Sequence, residues 1–100
     1  MLIVGGIHGN EPAGAHAVEV VRYWPIERGT VISVPRANIA ALAAKTRKTP
    51  DVPPEQSQLN RAFPRPDAEY PKTPENPLAR VLWELVVTHK PDWVLDCHEG

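Results

Sequence analysis

The chain has 100 residues, of which 42% are hydrophobic and 23% are charged, and its net charge is -1. This length suits one domain, residues 1–100, and the composition excludes disordered, collagen-like and coiled-coil proteins. No apolar run reaches the ~20 residues of a membrane helix, and the balanced charge predicts neither a nucleic-acid nor a membrane partner. Because Cys97 is the only cysteine, an internal disulfide is excluded, and we expect a cytoplasmic protein.

Strand and helix patterns alternate along the first part of the chain. Residues 2–6 form a short apolar run ending in two glycines, which indicates a buried strand followed by a sharp turn. Apolar residues then recur at helical spacing over residues 13–24 and stop at a proline. Residues 31–34 are typical of a second strand, and a helical turn is expected at 39–44.

A long proline-rich segment dominates the second part. Residues 45–77 contain eight of the twelve prolines and show no sustained period, so we predict a structureless loop of the kind that often binds ligands. This part is also basic, because residues 36–72 carry seven basic and four acidic side chains, a net charge of 7 - 4 = +3. A helix follows, with Asn76 as its cap and Pro77 at its first position, and residues 93–97 form a third strand. The core is predicted to include the tryptophans Trp24, Trp83 and Trp93.

This order of elements predicts an α/β fold, a mostly parallel sheet with crossover helices. Ligands of such sheets bind at the carboxyl ends of the strands. His8 and Glu11 follow the first strand and His98 follows the last, so these three side chains are expected to converge. Two imidazoles and one carboxylate form the ligand set of a catalytic zinc ion, whose fourth position stays open for water. We therefore predict one zinc ion held by these three residues.

A second His-x-x-Glu pair lies inside the first predicted helix. His16 and Glu19 form, with Arg22, a polar stripe opposite the apolar positions, so we interpret them as a solvated helix face. The turn around His8 differs, because its neighbouring glycines allow a tight bend. Those glycines do not match a phosphate-binding pattern, which argues against nucleotide binding.

Four motifs, in this order, resemble the zinc carboxypeptidase superfamily, and most of all its succinylglutamate desuccinylase and aspartoacylase branch. They are Gly-Gly-Ile-His-Gly-Asn-Glu at 5–11, Asn38 followed by Ala40-Ala41-Leu42, Leu59-Asn60-Arg61-Ala62-Phe63-Pro64, and Asp96-Cys97-His98-Glu99. The resemblance implies a zinc-carboxypeptidase-like fold and a zinc-dependent hydrolase that cleaves an amide bond next to a free carboxylate. The expected reaction is the deacylation of an N-acyl amino acid, and the alternative is a metallocarboxypeptidase that removes a C-terminal residue.

The resemblance also implies roles for three further residues. Asn60 and Arg61 would hold the free carboxylate of a small substrate, and Arg47 would polarise the scissile carbonyl. A planar guanidinium matches a carboxylate with two parallel hydrogen bonds, which suits Arg61 to this role. The structural alternative is that Arg47 and Arg61 are solvated charges of the loop.

Three positions depart from the family pattern. Gln58 replaces an aspartate, Ile39 replaces a proline, and the downstream glutamate that acts as general base has no counterpart. We therefore expect the metal-binding part of a longer domain, incomplete at its C-terminus. A zinc-binding but catalytically inactive fragment is the second hypothesis.

The residues around His98 have simpler interpretations. Asp96 shares the face of His98 and either orients its imidazole or is purely structural. Cys97 and Glu99 alternate with His98 along an extended chain and are expected to point away from it. We therefore predict that Cys97 packs in the interior and that Glu99 is not the general base.

Overall fold

A computed structural model describes residues 1–64 and 74–100. The sheet within these residues has three strands, β1 (Leu2–Gly5), β2 (Ile32–Val34) and β3 (Val94–Cys97), in the order β2-β1-β3. Both pairings are parallel, and the register places Gly5 opposite Cys97. The predicted α/β fold with a mostly parallel sheet is confirmed.

Three α-helices of the described residues connect the strands. α1 (Pro12–Val21) links β1 to β2, and α2 (Ile39–Ala44) and α3 (Pro77–His89) lie between β2 and β3. Asn76 caps α3 as predicted, since its Oδ1 accepts hydrogen bonds from two amides of the first turn at 2.9 and 3.0 Å. α1 ends three residues earlier than predicted, because turn hydrogen bonds close its end after Val21. Among the described residues, no helix combines the length and apolar character needed to cross a membrane.

The main core lies between the sheet and α3. Leu2 and Val4 of β1 pack there with Leu82 of α3, and the cluster also contains Ile7, Ala37, Leu59 and Ala79. Side-chain alternation sends Ile3 to the opposite face of the sheet, the face that α1 covers. β1 is therefore buried on both sides, which explains its uninterrupted apolar sequence.

The proline-rich segment is more ordered than predicted. Two short 3-10 helices, Pro54–Gln56 and Leu59–Arg61, interrupt it, so the expectation of a structureless loop is wrong for this part. Leu59 is fully buried in the core and anchors the second of them. Residues 65–73 of the predicted loop lie outside the described residues.

The tryptophan prediction fails for two of the three residues. Trp24 is 63% exposed and Trp93 is 69% exposed, whereas Trp83 is half-buried. Trp24 lies beyond the end of α1, and Trp93 precedes β3, an edge strand of the described sheet. Neither residue therefore has a neighbouring layer to cover it.

Candidate metal centre

The turn after β1 directs two side chains towards the carboxyl end of the sheet. Gly6 has φ of +73°, a conformation that favours glycine. Gly9 packs against α2 so closely that a Cβ would lie 1.7 Å from the carbonyl oxygen of Ala41. This tight path buries His8 and Glu11, which are 1% and 9% exposed.

The end of β3 is brought to the same place by α1. A Cβ on Gly14 would lie 2.1 Å from the carbonyl oxygen of Cys97, so only glycine allows this approach without a shift. Because the strands are parallel and in register, the next residue, His98, lies beside the turn that follows β1. The ring centroids of His8 and His98 are 4.9 Å apart.

The carboxylate of Glu11 connects all of these groups. Its Oε1 accepts hydrogen bonds from His8 Nδ1 at 3.0 Å and from Arg47 Nη1 at 2.5 Å. Its Oε2 accepts a hydrogen bond from His98 Nδ1 at 2.7 Å. The structure thus brings together the three predicted ligands, called the His8–Glu11–His98 cluster below, and places Arg47 against them.

Electrostatics keep this carboxylate ionised. Burial by itself raises the pKa of Glu11, but hydrogen bonds from His98 and His8 outweigh it and lower the pKa to about 2. Burial lowers the pKa of His98, but its hydrogen bonds with Asp96 and Glu11 dominate and raise the pKa above its ordinary value. The cluster therefore has a stable negative charge at its centre, which suits a cation.

The donor set fits a zinc ion. Each of the three residues offers one ligand atom, and these atoms lie within 4.8 Å of one another. Ligand bonds of about 2 Å bring such atoms within roughly 4 Å of each other, so small side-chain rotations suffice. His8 Nε2 is buried and has no hydrogen-bond partner among the described residues, as expected for a polar atom in an incomplete site.

The residues flanking His98 are engaged in different ways. Asp96 Oδ2 accepts a hydrogen bond from His98 Nε2 at 2.8 Å. Of the two predicted roles of Asp96, orienting the imidazole or a purely structural one, this contact favours the first. Glu99 Oε2 accepts a hydrogen bond from the Ala13 amide at 3.2 Å, at the start of α1. Glu99 thus supplies the acceptor for a first-turn amide of α1, because the side chain of the N-cap residue Glu11 forms no capping hydrogen bond. Sequence reasoning missed this contact.

Cys97 is half-buried, so the interior position predicted for it is only partly found.

Comparison with known proteins identifies the family of the chain. The model of the succinylglutamate desuccinylase/aspartoacylase catalytic domain matches residues 1–100. The chain belongs to this family. A crystal structure of succinylglutamate desuccinylase/aspartoacylase from Rhodobacter sphaeroides is similar, with a TM-score of 0.68 and 29% identity over 97% of this chain. A comparison with curated proteins gives no match.

The chain spans 29% of the length of the Rhodobacter sphaeroides protein. Both its sequence and its fold follow that relative over nearly the whole 100 residues. The predicted resemblance to the succinylglutamate desuccinylase/aspartoacylase branch is therefore confirmed by the family model and by the solved structure.

Asn60 and Arg61 lie on the second 3-10 helix and follow Leu59, the residue that anchors this helix in the core. Arg61 is exposed, and Asn60 Oδ1 is buried without a hydrogen-bond partner in the described part of the chain. No hydrogen bond or ion pair among residues 1–64 and 74–100 joins either side chain to the His8–Glu11–His98 cluster. The structure thus brings Arg47 to the cluster, and the substrate-binding roles of Asn60 and Arg61 stay predictions.

The second His-x-x-Glu pair is confirmed as a solvated face. His16 is exposed on α1, and Glu19 forms an ion pair of 3.1 Å with Arg22 one helical turn away. Such exposed pairs contribute little to stability. The same His-x-x-Glu spacing therefore lies in a buried cluster at His8 and Glu11 and on an exposed helix face at His16 and Glu19.

Proposed function

We propose that this chain forms the metal-binding part of a zinc-dependent hydrolase that cleaves an amide bond next to a free carboxylate, as in the deacylation of N-acyl amino acids. The observation that carries the proposal is the convergence of His8, Glu11 and His98 within 4.8 Å at the carboxyl end of a parallel sheet. Membership of the succinylglutamate desuccinylase/aspartoacylase family supports the deacylase reaction.

The roles of the residues follow from their chemistry. One zinc ion would be held by His8, Glu11 and His98, and such an ion activates a water molecule and polarises a carbonyl group. Glu11 is already ionised, so it needs no deprotonation to act as a ligand. Arg47 uses one of its five N–H donors on Glu11, and the others can stabilise negative charge that develops on the carbonyl oxygen.

Recognition of a small carboxylate-bearing substrate is assigned to Asn60 and Arg61. The exposed guanidinium of Arg61 can accept a carboxylate from solvent with two hydrogen bonds. The Nδ2 group of Asn60 can donate a further hydrogen bond to the same carboxylate. The net charge of +3 over residues 36–72 of the sequence favours an anionic substrate.

One observation favours a second function, zinc binding without turnover. The carboxylates on either side of His98 are both engaged, Asp96 with the imidazole and Glu99 with the Ala13 amide. A carboxylate held in this way is less free to take a proton from water, and loss of a general base costs roughly 10²- to 10⁴-fold in rate. In that case the chain would serve as a binding or regulatory module.

The decisive experiment measures zinc uptake and hydrolysis on the same protein. The chain is dialysed against zinc in reducing buffer, as suits the cytoplasmic location that the lone Cys97 favours. It is then assayed with N-acyl amino acids, with the same compounds carrying a blocked α-carboxylate, and with short peptides. We expect one bound zinc and hydrolysis of the free-carboxylate compounds only.

Two variants make the result specific. His8→Ala should weaken zinc binding by about 10²- to 10³-fold and lower hydrolysis with it, whereas Arg61→Lys should raise KM and leave zinc uptake unchanged, because lysine lacks the planar fork. Zinc uptake without hydrolysis would support the binding module instead, and preferential release of C-terminal residues from peptides would indicate a metallocarboxypeptidase. Absence of zinc uptake would contradict every form of the proposal.

A further inference from the structure

Asn38 is a buried polar residue whose role no motif explains. It is 1% exposed and is the N-cap residue of α2. Its Oδ1 accepts a hydrogen bond from the Ala41 amide at 3.1 Å. Its Nδ2 donates to the carbonyl oxygen of Ile7 at 3.3 Å and to Thr49 Oγ1 at 2.7 Å. A helix cap needs only the first of these bonds, so the two bonds from Nδ2 require a separate explanation.

The first bond from Nδ2 completes a series along the backbone that leads to His8. The Ala37 amide donates to the Gly5 carbonyl, and the Asn38 amide donates to the Gly6 carbonyl, each at 2.9 Å. The Asn38 side chain then holds the Ile7 carbonyl. The dipeptide Ala37-Asn38 thus donates hydrogen bonds to the carbonyl groups of the three residues that precede His8.

The second bond from Nδ2 reaches the segment that carries Arg47. Thr49 lies two residues beyond Arg47, and Thr46, one residue before it, accepts a hydrogen bond from the Gly9 amide at 2.8 Å. The chain on both sides of Arg47 is therefore tied to the turn that carries His8. Asn38 is the side chain that contacts both segments.

We infer that Asn38 is a positioning residue, whose carboxamide holds the His8 turn and the Arg47 segment in the one arrangement in which both side chains meet Glu11. This inference rests on the proposed function for its chemical purpose. Among the described residues the Asn38 side chain forms no hydrogen bond with the cluster, and it acts through the backbone of Ile7 and through Thr49.

Paired variants separate positioning from helix capping. Asn38→Ser keeps a hydroxyl that can cap α2 but removes both Nδ2 donors, whereas Asn38→Ala removes the cap as well. Thr49→Val removes only the hydroxyl that accepts from Nδ2, and Thr49→Ser restores it. Ser57→Ala is the matched control, because Ser57 donates to the Pro54 carbonyl in the same segment, at 2.7 Å, without touching Asn38.

Two measurements on the full chain provide the readout. In metal-free protein, hydrogen exchange of the Gly9 amide reports the bond to Thr46, and we expect about tenfold faster exchange in Asn38→Ser and Thr49→Val. Competition with a chelator gives the zinc affinity, which should fall by roughly 10- to 100-fold in Asn38→Ser, the range found when a group that orients a ligand is lost. Thr49→Ser and Ser57→Ala should stay within about twofold of wild type in both.

Two results would overturn the inference. In the first, Asn38→Ser matches wild type in Gly9 exchange and in zinc affinity, so that capping alone explains Asn38. In the second, Ser57→Ala changes both readouts as much as Thr49→Val does, so that general stability explains the effect. A wild-type chain that takes up no zinc would contradict the proposed function, while the exchange data would still decide whether Asn38 positions the turn.

Discussion

His8 and His98 belong to the same cluster but stand in opposite surroundings. His8 follows a strand that is buried along its whole length, and its own side chain is 1% exposed. His98 follows a strand whose residues Val94 and Leu95 are nearly half exposed, and its side chain is 34% exposed. Backbone hydrogen bonds to neighbouring segments fix the first histidine, whereas Gly14 packing and two carboxylates hold the second. His8 is thus buried with the core of the chain, whereas His98 lies at the edge of that core.

Removal of each histidine gives the largest predicted effect. His8→Ala and His98→Ala should each weaken zinc binding by about 10²- to 10³-fold, because roughly 10 to 16 kcal/mol of binding free energy is shared among the ligands. His8→Ala should destabilise the metal-free chain more than His98→Ala, by about 1 to 3 kcal/mol, since it leaves a cavity in the interior. Chelator competition and urea unfolding measure the two quantities. Equal losses of unfolding free energy in the two variants would contradict the comparison.

Removal of the Asp96 carboxylate should have the next largest effect. Asp96→Ala is expected to lower zinc affinity by about 10- to 100-fold, because His98 Nε2 loses the acceptor that fixes its ring. Asp96→Asn, which keeps an acceptor oxygen, should lose less. Asp92→Ala is the control, an exposed carboxylate just before β3. The orienting role fails if the variants at 96 and 92 have the same zinc affinity.

Substitution of Glu99 distinguishes a cap from a general base. Glu99→Ala should cost about 0.5 to 1 kcal/mol of unfolding free energy, because the Ala13 amide loses its acceptor. Glu99→Gln keeps an acceptor oxygen and should recover most of this loss. Urea unfolding gives the free energies, and an assay of hydrolysis gives the rate. If Glu99 were the base, Gln and Ala variants would be equally slow while stability stayed unchanged.

The smallest effect is expected for the other His-x-x-Glu pair. His16→Ala should change zinc affinity by less than about twofold and unfolding free energy by less than ~0.5 kcal/mol, as is usual for solvent-exposed sites. The same titration and unfolding experiments apply. A loss of zinc affinity in this variant would mean that spacing alone, without the glycine turn, creates a ligand pair.

Elements with local signals were predictable from the sequence. The strand at residues 2–5 has an apolar run, and the helix after Asn76 has a cap and a proline at its first position. Exposure of Trp24 and Trp93 was not predictable, because burial depends on which layers lie above each residue. The 3-10 helix at Leu59–Arg61 was missed for the same reason, since Leu59 is held by a core assembled from distant segments.

The candidate site shows the same division. Convergence of His8, Glu11 and His98 follows from one topological rule, because the carboxyl ends of parallel strands share an edge. The role of Arg47 at the site was predicted from the family resemblance, and in the structure its guanidinium donates a hydrogen bond to Glu11. The contact between Glu99 and Ala13 joins residues 86 positions apart and has no local sequence signal. The links made by Asn38 likewise depend on tertiary packing.

The separation of the two histidines along the chain has a consequence for folding. They are 98 - 8 = 90 residues apart but meet at 4.9 Å between ring centroids. An ion bound to both would act as a cross-link that closes the segment between them into one loop. For a covalent bridge across a loop of this size, lost freedom of the denatured chain stabilises the native state by about 4 to 5 kcal/mol. Metal loading would then raise the melting temperature of residues 1–100 as well as supply their chemistry.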